Sequence, residues 1–290
     1  AVYKGHLDIV KYLIGKHANV NLVDYEGSPP LLHACAGSYL DCAEALIDAG
    51  ANVSLGSNYG RTPLMYAAKH GDDRIVQDLI AHKAALDANC DQGPAIMAAA
   101  SNDQLSTIKL LAEAGANLNL APQNGPPDHY SALGCAAANN DLQMVDYLIG
   151  KRADVNGVGG PGGATPLMAT VDYERTDAME RLLDHGANLD LENKAGQTAL
   201  MIACWDVKPE CVHILLDHNP NVDLTDARGE TALTIAGDMG ETELVDLLKN
   251  KGAKRTDLHV ITKGDPAQPL PAAHAWALAV GMIYTQRACF

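Results

Sequence analysis

The chain has 290 residues and a formal charge of −15. Its hydrophobic fraction is 47 %, yet aromatic residues make up only 4 %, with a single Phe. A large core is therefore available, but it has to be built from Ala, Leu, Ile and Val, which favours close helix-on-helix packing. The acidic balance excludes a nucleic-acid surface, which needs a basic footprint, and suits basic partners or solubility. No stretch approaches the roughly 18–20 apolar residues of a bilayer span, so no membrane insertion is expected. No basic segment followed by an apolar one opens the chain, so no signal peptide is visible. Seven cysteines (Cys35, Cys42, Cys90, Cys135, Cys204, Cys211 and Cys289) are odd in number, widely spaced and free of any CxxC. They read as reduced thiols in a reducing, cytoplasmic setting, with neither a metal site nor a disulfide framework.

In chain order, residues 1 to 6, "AVYKGH", match only the end of a helix, so the chain is expected to begin inside a repeat. A phrase then recurs: "RTPLMYAAKHGD" at 61–72, "GATPLMATVDYE" from Gly163, "GQTALMIACWDV" from Gly196 and "GETALTIAGDMG" from Gly229. Its anchors fall at Pro29, Thr62, Pro94, Ser131, Thr165, Thr198 and Thr231, spaced by 33, 32, 37, 34, 33 and 33 residues. Each copy is followed about twenty residues later by "GANV", "GANL" or a worn form of it.

The physics of one unit is readable at Thr62. Its hydroxyl can cap a helix, and Pro63 fits the first turn, where a missing N–H costs nothing. Leu64, Ala67 and Ala68 form a short inner face, and Gly71 ends the helix. Ile75, Val76, Leu79 and Ile80 are the apolar stripe of a second, antiparallel helix. The polar segment Leu86 to Gln92 reads as a hairpin to the next unit. One such unit cannot bury both faces, whereas stacked units share a continuous core. The fourth unit, "CDQGPAIMAAA" at 90–100, lacks the Thr-Pro start, so its first helix is expected to begin weakly. The connection from Asn119 to His129 is longer than its counterparts and reads as a Pro/Gly-rich protrusion. "GVGGPGGAT" from Gly157 has the composition of a phosphate cradle, but no Gly-Lys-Ser/Thr follows and no strand precedes it, so it reads as a loop.

A period near 33 with T-P-L-x-x-A and a trailing G-A-x-V-N resembles an ankyrin repeat array over residues 1–257. The resemblance implies an all-α solenoid of stacked helix–turn–helix repeats with hairpin-like connections. After Asp257 the period stops. Residues 258–290 read as a Pro/Gly-rich linker and one C-terminal helix, with Trp276, Val280 and Ile283 or Tyr284 on one face. That helix either caps the last repeat or opens a further domain.

Sites follow the same logic. Cys35 and Cys204 share one repeat position, as do Cys42 and Cys211, and all four substitute for small core residues. His17, His82, His185 and His218 fall near the ends of second helices, where an imidazole can serve the last carbonyls. His129 beside Asp128 has no nucleophile assigned nearby, so no catalytic group and no cofactor is expected.

In ankyrin arrays partners usually dock on the concave side, made by hairpin tips and the exposed face of each first helix. Carried over by position, this implies hairpin residues Tyr25, Tyr59, Arg61, Tyr130, Arg228 and Glu230. It also implies first-helix residues Lys69, His70, Asp172, Tyr173, Trp205, Asp206, Asp238 and Met239. Aromatics anchor interfaces because they bury area with few rotors to freeze. Asp172, Asp206, Glu230 and Asp238 suit a basic ligand. The expectation is a monomeric, non-catalytic protein-interaction module. The alternatives are the recruiting arm of an enzyme whose catalytic domain lies outside this chain, or a purely structural spacer.

Overall fold

The computed structural model describes residues 1–122, 130–159 and 162–254; the expected C-terminal helix and the Asp128–His129 pair lie outside the described residues. Residues Ala1–Lys254 form one compact unit. After a short 3-10 turn at Val2–Lys4, helix α1 (Leu7–Gly15) is a second helix without its first. Seven helix pairs follow. They are α2 (Pro30–Ala36) with α3 (Leu40–Asp48), α4 (Pro63–His70) with α5 (Asp73–Ala81), and α6 (Ala95–Ala100) with α7 (Leu105–Glu113). Next come α8 (Ala132–Ala138) with α9 (Leu142–Gly150) and α10 (Pro166–Asp172) with α11 (Thr176–Asp184). The last are α12 (Ala199–Trp205) with α13 (Pro209–Asp217) and α14 (Ala232–Asp238) with α15 (Thr242–Asn250). First helices pack on neighbouring first helices and second on second, so the array is a solenoid in which each repeat packs mainly on the next.

Side-chain size explains the stacking. The paired small positions of each first helix, among them Ala34–Cys35, Ala67–Ala68, Ala99–Ala100, Ala136–Ala137 and Ala203–Cys204, are shut off from solvent. Helix α8 is buried along its whole length. Where the pair enlarges to Thr170–Val171, both residues remain buried and the Thr170 hydroxyl donates to the Leu167 carbonyl at 2.7 Å. That bond removes the cost of burying an unpaired hydroxyl.

The repeated Thr has the expected job. Thr62, Thr165, Thr198 and Thr231 each accept from the backbone N–H three residues on, at 3.4, 3.3, 3.3 and 3.2 Å, and Ser131 does the same at 3.3 Å. Such a cap stabilises a helix by about 1 kcal/mol. The fourth unit starts weakly, as its sequence implies: α6 begins after Pro94, has six residues and carries no side-chain cap. Pro29 leaves α2 uncapped in the same way.

The trailing G-A-x-V-N phrase registers one repeat on the next. A side-chain oxygen in each copy accepts the backbone N–H of its neighbour. Asn21 accepts from Asn52, Ser54 from Ala85, Asp87 from Asn117 and Asn119 from Asp154, at 2.8–2.9 Å. Asn156 accepts from Asn188 and Asp190 from Asn221, both at 2.8 Å, and Asp223 accepts from Lys254 at 3.1 Å. Every junction between repeats carries one such bond.

Hairpin tips also bond directly. Asn58 N–H donates to Glu26 O, Lys194 N–H to Gly162 O, and Ala227 N–H to Ala195 O, at 2.9, 2.9 and 3.0 Å. No extended strand occurs among the described residues; the run from Gly157 closes through a single antiparallel bridge between Gly159 and Ala164. At Gly196 the tip is too tight for a side chain: φ is +75°, and a Cβ would lie 2.7 Å from the Ala227 nitrogen.

The six described cysteines are buried. Burial pushes the Cys35 and Cys204 thiols up to about 12; at Cys211 burial prevails over the nearby Lys208 ammonium and the thiol rises to about 11. Of the four histidines expected near second-helix ends, His82 and His185 are C-caps, with Nδ1–H donating to the Asp78 and Arg181 carbonyls at 2.8 Å. His218 is a C-cap, while His17 stands one residue further on, in a left-handed turn with φ +59°.

Two outcomes are expected. Gly196→Ala destabilises the array by about 1–2 kcal/mol in urea unfolding, the cost of forcing a side chain into a left-handed backbone; unchanged stability would remove the tight-tip account. At pH 8, thiols with pKa near 12 are about one part in ten thousand thiolate. Mass spectrometry after brief iodoacetamide treatment therefore finds Cys35 and Cys204 unmodified in the native chain and alkylated in urea.

Candidate partner-binding surface

The hairpin tips and the outward-facing ends of the first helices share one side of the array, here called the inner face. Three groups of side chains assemble there. The first lies on the hairpin before α4, where the Arg61 guanidinium stands 5.9 Å from the Tyr59 ring centroid and 3.9 Å from the Asp91 carboxylate. Tyr59 is 62 % exposed. Burial works against the Arg61 charge, but a hydrogen bond with the Tyr66 side chain and the nearby Asp91 outweigh it, so the guanidinium is held more firmly protonated. Lys69 stands on the same helix, and the His70 ring Nε2–H reaches back to the Ala36 carbonyl at 3.2 Å.

The second group joins Tyr130 to the adjacent residues Asp172 and Tyr173, some forty residues further along the chain. The Tyr130 hydroxyl donates to the Asp172 carboxylate, and the Tyr130 and Tyr173 rings meet edge to face with centroids 6.5 Å apart. Tyr130 is only 6 % exposed, so it is not the exposed hairpin anchor that its sequence position suggests. Its ring fills the space beside Gly134, where a Cβ would lie 2.7 Å from the Tyr130 Cβ. Tyr173, at the end of α10, remains 46 % exposed.

The third group is built on the last hairpin. Asp226, which sequence reasoning passed over, is buried and organises it: its carboxylate accepts from the backbone N–H groups of Arg228 and Glu230 at 2.9 and 3.0 Å. Asp24 and Asn193 do the same at the equivalent place in their own hairpins, so the period marks this turn residue. Asp226 and Glu230 both pair with Arg228, at 3.1 and 2.5 Å. The guanidinium so fixed lies over the half-buried Trp205 ring, 5.1 Å from its centroid, in cation–π geometry. Burial raises the Glu230 carboxyl above the usual range and Arg228 partly offsets this, with Asp226 and Asp238 adding to the rise.

The acids of the C-terminal half thus carry cations among them. Lys208 lies 3.4 Å from Asp206 and donates to the Val171 and Asp172 carbonyls at 2.8 and 2.6 Å. Asp238 and Met239 close the face at the end of α14, both exposed, and Tyr25 at the opposite end is 91 % exposed. The structure therefore brings the expected residues together in three groups, with Tyr25 standing apart from them. Among the described residues there is no cluster of three or more His, Cys, Asp or Glu side chains able to hold a metal ion, and no helix is long and apolar enough to cross a membrane.

Comparison with known proteins agrees with this architecture. Mouse ankyrin repeat and SOCS box protein 6 is 37 % identical over 95 residues, which are 32 % of this chain and 22 % of that protein. The human protein of the same name is 39 % identical over 90 residues, 31 % of this chain and 21 % of its own length. The palmitoyltransferase AKR1 of Lachancea kluyveri is 33 % identical over 105 residues, 36 % of this chain and 14 % of the enzyme. The chain thus spans about a fifth or less of the length of these curated relatives. The family model for ankyrin repeats in sets of three matches residues 1–92, 67–158, 96–193, 133–226 and 167–258. Ankyrin repeats bind other proteins. With matches running through residue 258 and a helix-pair solenoid to go with them, the chain belongs to the ankyrin-repeat family.

Proposed function

We propose that this chain is a non-catalytic interaction module that holds an extended segment of another protein along its inner, concave face. The observation that carries this reading is the pre-ordered group at Trp205: an aromatic surface fixed by Arg228, itself held by Asp226 and Glu230. Side chains locked before binding lose little entropy on binding, and aromatic anchors of this kind dominate interface energies. Trp205, Tyr173 and Tyr59 act as the anchors. Asp172, Asp206 and Asp238 draw a basic group of the partner, selecting it by charge more than by affinity. The module works as a monomer, and its buried thiols suit a cytoplasmic setting.

A second reading has a specific observation behind it. Matching repeats occupy 14 % of a palmitoyltransferase and 9 % of a human 2-5A-dependent ribonuclease, so arrays like this one also occur as small parts of enzymes. In that case the inner face recruits a substrate protein for chemistry done elsewhere.

The test is affinity capture from lysate with wild type, Trp205→Phe, Trp205→Ala and a Tyr173→Ala/Trp205→Ala double variant, each checked for helix content. Trp205→Ala lowers the affinity for the retained protein more than tenfold, which corresponds to about 1.4 kcal/mol or more, and the double variant loses it. Trp205→Phe keeps most of it. Equal capture by all four would remove the groove at Trp205 as the binding site.

A further inference from the structure

We infer that the inner face carries a dedicated subsite for a carboxylate side chain of the bound segment, between α4 and α6. This rests on the groove reading above and adds the chemistry of one partner residue. A recess of about 220 Å³ opens there. Arg61 and Lys69 line it together with Tyr66, and Met65, Gly93 and Ala98 supply its uncharged surface.

The recess exists because the repeat is broken at this junction. Tyr66 has Ala98 as its counterpart on the next first helix, and Arg61 has Gly93 as its counterpart on the next hairpin. Two large side chains thus face two positions with almost no side chain. The missing volume is left open in an array whose neighbouring small pairs, Ala67–Ala68 and Ala99–Ala100, are fully buried.

Charge identifies the occupant. In a chain of net charge −15, Arg61 and Lys69 converge on one recess. Lys69 makes no ion pair among the described residues, and Asp91 touches Arg61 only at 3.9 Å. The Arg61 Nε is out of solvent contact and has no hydrogen-bond partner among the described residues. Two cations against one carboxylate leave a single positive charge to satisfy. That balance fits a monoanionic carboxylate; a dianionic phosphate would face Asp91 as well. The planar guanidinium is matched to a carboxylate, and Met65 and Ala98 offer a floor for an apolar neighbour on the same segment.

The subsite also fixes a spacing. The recess lies between α4 and α6, two and a half repeats from α10, and stacked helices lie roughly 8–10 Å apart, so the recess and Asp172 are separated by roughly 20–25 Å. An extended chain covers that with about seven residues. The partner segment therefore has an acidic residue near one end and a basic one about seven residues away.

The experiment is methyl NMR on the described chain in its full length, labelled at methionine ε-methyl groups and titrated with acetyl-Leu-Glu-amide, acetyl-Leu-Gln-amide and inorganic phosphate. The Met65 methyl is expected to shift with the glutamyl dipeptide, with at least fivefold weaker binding of the glutaminyl one. Arg61→Gln with Lys69→Gln abolishes that preference, and Ala98→Leu, which fills the recess, abolishes both shifts. Equal binding of the two dipeptides would reduce the recess to an apolar dimple, tighter binding of phosphate would reassign it to phosphoryl groups, and no shift would remove it; each overturns the inference. Because the readout is Met65, these outcomes stand apart from the Trp205 capture result: either can fail while the other holds.

Discussion

The structure depends on one constraint: adjacent first helices must come close enough to exclude water between them. Two small residues in the middle of each first helix meet it, Ala67–Ala68 in α4 and Ala99–Ala100 in α6 being the plainest cases. A helix of six to eight residues is too short to be stable alone in water, so its existence is owed to this packing and, where Thr or Ser stands at its start, to that cap; α6, which has none, depends on the packing alone. Once the helices are close, the rest follows. The second helices fall into line behind them, and the polar residue at the end of each repeat reaches the next backbone N–H, as Asp190 reaches Asn221. The hairpin tips come near enough to bond to one another.

The same constraint shapes the inner face. Positions that must be small cannot carry recognition, so variety is confined to hairpin tips and the exposed ends of the first helices. There the chain writes a face with two characters. Toward the N-terminus it is cationic, with Arg61 and Lys69 around a recess. Toward the C-terminus it is aromatic and acidic, with Trp205 held under Arg228 and with Asp172 accepting from Tyr130. The internal pairs Lys208–Asp206 and Arg228–Glu230 temper the acidity and hold side chains still. A ligand that meets a set of fixed groups gives up only its own freedom, which is why an array can bind a segment with modest contacts per repeat.

Much of this was legible in the sequence because the period repeats the physics. The Thr caps, the weak start at Pro94, the buried Cys35 and Cys204 and the helix pairs all follow from residue type at a fixed offset. What was missed depends on contacts between unlike positions. Tyr130 occupies a hairpin-tip position, yet Gly134 leaves a space that its ring fills, and its hydroxyl finds Asp172 far along the chain. The recess needs Tyr66 and Ala98 to be compared across two repeats, a difference that alignment treats as noise. Asp226 was readable as the mate of Asn193 at the same offset, but its role in fixing Arg228 over Trp205 was not. Left-handed turns were legible only where glycine marks them: Gly71 does so, whereas Val207 adopts φ +53° at the same place, against the preference of a β-branched side chain.

The central claim is that the inner face holds the partner, and amide hydrogen–deuterium exchange of the array with and without its captured partner tests it most directly. Slower exchange is predicted in residues 58–70, 165–173, 195–206 and 226–239, with the second helices α9, α11 and α13 unchanged. Protection confined to those second helices, with the inner face exchanging as in the free chain, would contradict the account.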